Sequence, residues 1–107
     1  MLADGGTLMP YILPQDVTAP KERWTLHRVL IRGAAGKPAY ALGTWEGKRC
    51  IAARWNGTNE NETGWPRIYT RPCWHILDDR LCDGVLALLP NYTERIRAMR
   101  FLDGEDV

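Results

Sequence analysis

The strongest constraint on this chain is a pair of strand-like runs, residues 39–45 and 48–55, joined by only Glu46 and Gly47. Glycine accepts a positive φ at no steric cost, so two such residues between runs rich in apolar and aromatic side chains predict a tight antiparallel hairpin. A two-residue loop sets the register: Trp45 faces Lys48, Gly43 faces Cys50 and Ala41 faces Ala52, with Arg54 on the same side. The other side carries Tyr40, Leu42, Thr44, Arg49, Ile51, Ala53 and Trp55 and reads as the core face. The first side, lined by small residues between Trp45 and Arg54, offers room for something to lie against it. A slip of one residue would exchange the two.

Around this hairpin the chain divides into three stretches of one domain, residues 1–107. Residues 1–21 contain Pro10, Pro14, Pro20 and Gly5-Gly6, which exclude a long helix, yet Leu8, Met9, Tyr11, Ile12, Leu13 and Val17 are too apolar for a free tail. An extended arm is expected, packed across the domain or onto a second copy. Residues 22–72 are β-rich. A strand over 24–32 ends at Gly33-Ala34-Ala35-Gly36, a polar loop covers 56–64, and a short edge strand follows at 65–70. Residues 73–107 are helical. Asp78 or Asp79 caps a first helix with Leu81, Cys82, Val85, Leu86, Leu88 and Leu89 on one stripe, and Pro90 ends it. Asn91 with Glu94 forms a capping-box variant that opens a second helix over 92–102. The expected fold is α+β: an antiparallel sheet of three or four strands with two C-terminal helices packed on one face.

At 107 residues one core is the natural solution, with roughly two-thirds of the unfolded chain's surface buried. An apolar share of 45% and a charged share of 25% are those of a globular domain rather than a disordered one. The net charge of +1 supplies no bulk field for nucleic acid or membrane, although basic residues outnumber acidic ones over 36–71 and the reverse holds over 72–107. Three cysteines, an odd number, and an N-terminus without a secretory pattern point to the cytoplasm, and no apolar run is long enough to span a bilayer. The Asn-x-Thr triplets at Asn56, Asn61 and Asn91 are therefore read as turn and cap chemistry.

Five tryptophans, at 24, 45, 55, 65 and 74, each lie at or beside a strand end. Two or three are expected in the core. The functional reading takes Trp45, Trp65 and Trp74 as an aromatic wall over the small-residue face, joined by Arg54 and Tyr69, suited to a flat aromatic ligand, a cation or a partner protein. Cys73, His75 and Cys82 offer three zinc-type ligands without a close Cys-x2-Cys pair, so no metal is expected, and no cofactor motif is present. His27 or His75 with Cys73 or Asp78 would serve a small enzyme only if the groups converge in space. Lys48, Arg49, Arg54, Arg67 and Arg71 with the aromatics form a surface for single-stranded nucleic acid, or simply a charged, aggregation-resistant sheet edge; the near-neutral net charge favours the edge.

Residues Gly43-Thr44-Trp45-Glu46-Gly47, Arg54-Trp55-Asn56-Gly57, Gly64-Trp65-Pro66 and Pro72-Cys73-Trp74 together resemble small uncharacterised bacterial proteins, some carried on mobile or integron-type gene cassettes. The resemblance implies a bacterial, cytoplasmic accessory protein and carries over no functional residue. The expectation is a non-enzymatic binding module, with a homodimer completed by the arm, 8–17, as the main alternative. A nucleic-acid binder or a small His/Cys enzyme ranks below both.

Overall fold

In the computed structural model, which describes residues 12–59, 62–69 and 71–107, the hairpin forms in the expected register. β2 (Pro38–Trp45) and β3 (Lys48–Trp55) pair along their full length, and Glu46 (φ 51°) with Gly47 (φ 86°) closes them. Two consecutive positive φ values make a mirror-image turn, whose twist matches that of the flanking strands. β1 (Trp24–Ile31) adds to the free edge of β2, and β6 (His75–Ile76) adds to β3, giving an antiparallel order β1-β2-β3-β6. β1 is not regular. Register shifts at His27 and Leu30 break its pairing with β2 into stretches of three, two and one residues, and such irregularities twist an edge strand and discourage further strand pairing.

The short edge strand expected at 65–70 is not part of this sheet. Trp65 makes a single bridge to Trp55, and β4 (Arg67–Ile68) pairs with β5 (Arg71–Pro72) in a separate two-stranded ribbon. The lead-in to the first helix, by contrast, contains the fourth strand of the main sheet, β6, which the apolar pattern of 74–77 had concealed.

The C-terminal part keeps its expected caps. Asp78 accepts the Arg80 amide at 2.8 Å and opens a 3-10 turn, Asp79–Leu81, that runs into α1 (Cys82–Leu86). Asn91 accepts the Glu94 amide at 3.1 Å and opens α2 (Tyr92–Leu102). The expected apolar stripe is narrower than its sequence spacing: Cys82, Val85, Leu86 and Leu89 are buried, while Leu81 and Leu88 face outward. They pack with Ala98 and Phe101 against Leu42 and Ile51, so the helices cover the face expected to be the core side. Arg49 fastens α2 to the sheet: its guanidinium donates to the Phe101 carbonyl at 2.8 Å and lies 4.5 Å from the centre of the Phe101 ring.

The opposite face is also filled, and by the chain itself. Val17 from the arm, Trp24 from β1 and Trp74 from the segment before β6 close over Ala39, Ala41, Cys50 and Ala52 in a second core. Trp74 donates its indole N–H to the Val17 carbonyl at 2.6 Å, and Ala19 forms a bridge with Cys73, so the described part of the arm packs on its own sheet, the first of the two packings expected. The expectations for Leu8, Met9 and Tyr11 lie outside the described residues. The small-residue face is thus an internal packing surface: small side chains on the sheet make space for two large rings, which tilt against each other at a centroid separation of 6.1 Å.

Candidate functional site

Two short helices cannot cover the whole of one sheet face, and the part left over is a groove. Residues directly opposite in an antiparallel pair point to the same side. Leu42 and Ile51 form the row under the helices; the next row outward is Tyr40, Ala53 and His75, and the next is Pro38 and Trp55, which Trp65 extends through its bridge. Ala53 contributes only a methyl group between a tyrosine and a histidine, so the surface dips there. Pro38, Tyr40, Ala53, Arg54, Trp55, Trp65, Pro66 and His75 together line a groove of about 470 Å³, within the size range of small-ligand sites.

Its outer wall is aromatic and open to solvent. Trp55 and Trp65 are 55% and 58% exposed, unusual for the largest side chain, and they are locked side by side by reciprocal backbone hydrogen bonds of 2.7 and 2.9 Å. The pairing depends on Gly64, whose φ is +75°; a Cβ there would stand 2.0 Å from the Trp55 carbonyl oxygen, so any side chain would force Trp65 away from Trp55. The guanidinium of Arg67 lies over the Trp65 ring, 4.3 Å from its centre.

Behind this wall Arg54 organises the loop. It is 3% exposed and donates to the carbonyls of Cys73 (2.7 Å), Pro66 (3.4 Å) and Thr63. Among the described residues no carboxylate pairs with it, and burial lowers its pKa from the ordinary guanidinium value. A buried cation held only by neutral oxygens ties Thr63, Pro66 and Cys73 to the sheet at once.

Of the five residues expected at a site, two come together here, Trp65 and Arg54. Trp74 is 4% exposed, inside the second core. Trp45 is at the turn end of the hairpin, seven pairs of residues from Trp55, a separation of roughly 24 Å at strand rise. It lines a different recess with Lys48, Cys50, Asp78 and Asp79. Tyr69 stands at the tip of the β4–β5 ribbon, 94% exposed, away from the groove lining. The residues that sequence reasoning missed are Trp55, Tyr40 and His75. The hairpin register had already put Tyr40 and Trp55 on one face with Ala53, but that whole face was assigned to the core.

The enzyme reading gains no geometry. Asp78 is engaged by Arg80 through hydrogen bonds of 2.8 and 3.0 Å, and no hydrogen bond joins Cys73, His75 and Asp78 among the described residues. Nor does any group of three His, Cys, Asp or Glu converge there as metal ligands. All three thiols are free and buried; burial raises the pKa of each, that of Cys50 to about 11. A thiol reagent at pH 8 is therefore expected to leave the native protein unmodified while labelling all three cysteines in denaturant. Rapid labelling of one equivalent in the native state would show an activated thiol.

No family model, no curated protein and no solved structure matches this chain. Among the described residues no helix is long and apolar enough to cross a membrane.

Proposed function

We propose that this protein is a non-enzymatic binding module that receives a flat aromatic group in the groove between Trp55, Trp65, Tyr40 and His75. The observation that carries this reading is the pair of adjacent tryptophans, each more than half exposed and held by backbone pairing rather than by core packing. Exposed indoles fixed on rigid elements offer stacking area at little entropic cost on binding, and the concave floor at Ala53 gives a ligand an edge to rest against. An accessory protein in a reducing cytoplasm, the role implied by the cassette-type resemblance, agrees with three free, buried thiols.

The test is substitution with calorimetry. Trp55→Ala and Trp65→Ala are expected to leave thermal stability nearly unchanged, since both rings are solvent-facing, while binding of a planar aromatic probe weakens by about tenfold or more in each. Unchanged affinity in both variants would refute the groove reading.

A second reading, a protein partner docked on the β4–β5 ribbon, rests on Tyr69 and Ile68, which are 94% and 53% exposed beside Arg67 and Arg71. Tyr69 also holds a positive φ of 56°, uncommon for an aromatic residue. A change in sizing on addition of cell extract that Tyr69→Ser abolishes, with binding of the aromatic probe retained, would separate this surface from the groove.

A further inference from the structure

The groove's charge narrows the kind of aromatic compound it takes. None of its eight lining residues is acidic, and two of them, Arg54 and His75, are basic. Arg54 is a permanent cation, sealed from water and hydrogen-bonded to carbonyl oxygens only, so its field is not cancelled by a carboxylate among the described residues and is only weakly screened. Beyond the lining residues themselves, the guanidinium carbon of Arg67 lies 4.3 Å from the centre of the Trp65 ring. An indole ring leaves guanidinium N–H donors unused, and the fork of those donors matches the two oxygens of a carboxylate. Arg67 forms no ion pair among the described residues.

Building on the aromatic-groove reading, we infer that the ligand is a small planar aromatic acid, its ring stacked against Trp55 and Trp65 and its carboxylate turned to the Arg67 guanidinium beside Trp65. A cationic aromatic compound would meet the same indole faces but be repelled by Arg67 and Arg54. The open groove, about 470 Å³, has room for one or two fused rings rather than a run of nucleotides. Of the basic residues at the turn end of the hairpin, Lys48 pairs with Asp79 and Arg49 with the end of α2, so neither adds free positive charge to the groove.

Three probes that share one ring system decide it: 2-naphthoate, 2-naphthalenemethanol and 2-naphthylmethylammonium, titrated calorimetrically into the full chain, with an oligothymidylate as the fourth. The expected order is carboxylate, then alcohol, then ammonium, with about tenfold between the first and last, and with the carboxylate's advantage shrinking as salt is raised. Arg67→Gln, a change on an exposed ribbon that the fold tolerates, is expected to remove that advantage while leaving the alcohol's affinity unchanged. Equal affinities for all three probes, lost together in Trp65→Ala, would overturn the acid inference and leave the aromatic groove standing. Tightest binding by the ammonium, or by the oligothymidylate, would overturn it in favour of that chemistry. No binding by any probe would overturn both the inference and the groove reading.

Discussion

Gly43→Ala is expected to destabilise the protein by about 3 kcal/mol, the upper end of what overpacking costs, and to lower the melting temperature by roughly 15 °C. The φ of Gly43 is not the issue; space is. A Cβ at this position would sit 2.3 Å from Cη2 of Trp24 and 2.4 Å from the Thr25 carbonyl oxygen. The ring of Trp24 is 2% exposed and packed against Trp74, so it has nowhere to move, and the Thr25 oxygen belongs to the backbone of the neighbouring strand. Gly84→Ala is the control. A Cβ there meets nothing within 4 Å, and alanine in a helix is favoured over glycine by up to about 1 kcal/mol. Chemical denaturation of the two variants measures the difference. A Gly43→Ala protein as stable as the parent would mean that Trp24 does not lie across this face.

Arg54→Met should cost about as much, near 4 kcal/mol, for the opposite reason. The side chain is replaced by one of similar length that fills the space but donates nothing. The Cys73, Pro66 and Thr63 carbonyls then lose the donor that Arg54 supplies to each. The Pro66 carbonyl still accepts the Cys73 amide at 3.1 Å, so the desolvation penalty falls on the Cys73 and Thr63 carbonyls, whereas the desolvation of the guanidinium itself is recovered, which keeps the net loss below the sum of the bonds removed. Arg54→Lys is not expected to rescue, because a single ammonium cannot reach three divergent oxygens. The loss should be local before it is global: limited proteolysis should begin to cut within 56–66 under conditions where the parent is resistant, because that loop is tied down by Arg54 and by the Trp55–Trp65 bridge. Uncut, parent-like Arg54→Met would show that the loop is held by something else.

Much of the fold was legible because its signals are local. The Glu46-Gly47 turn, the register that follows from it, the Asn91 cap and the bounds of α2 each depend on a few adjacent residues. β6 was not legible: two residues of strand that exist only because Ala52 and Ala53 present a free edge carry no periodicity of their own. The two shifts in β1 were hidden for a similar reason, since a bulge is a property of a strand pair. For the site, the residue types were right and their grouping was not. Tryptophan spacing along the chain says nothing about which rings the sheet brings together, and the hairpin length alone separates Trp45 from Trp65. Trp74 was drawn inward by its indole bond to Val17, a partner 57 positions away. The small-residue face read as vacant because the arm and Trp24 that fill it come from distant sequence.

The most direct test of the account follows the five indole N–H signals by ¹H–¹⁵N NMR, assigned by single Trp→Phe substitutions, while 2-naphthoate is added to the full chain. Saturable shifts of the Trp55 and Trp65 signals are expected, with those of Trp24, Trp74 and Trp45 left in place. Shifts confined to Trp45, or no shift in any of the five at millimolar probe, would contradict the groove reading.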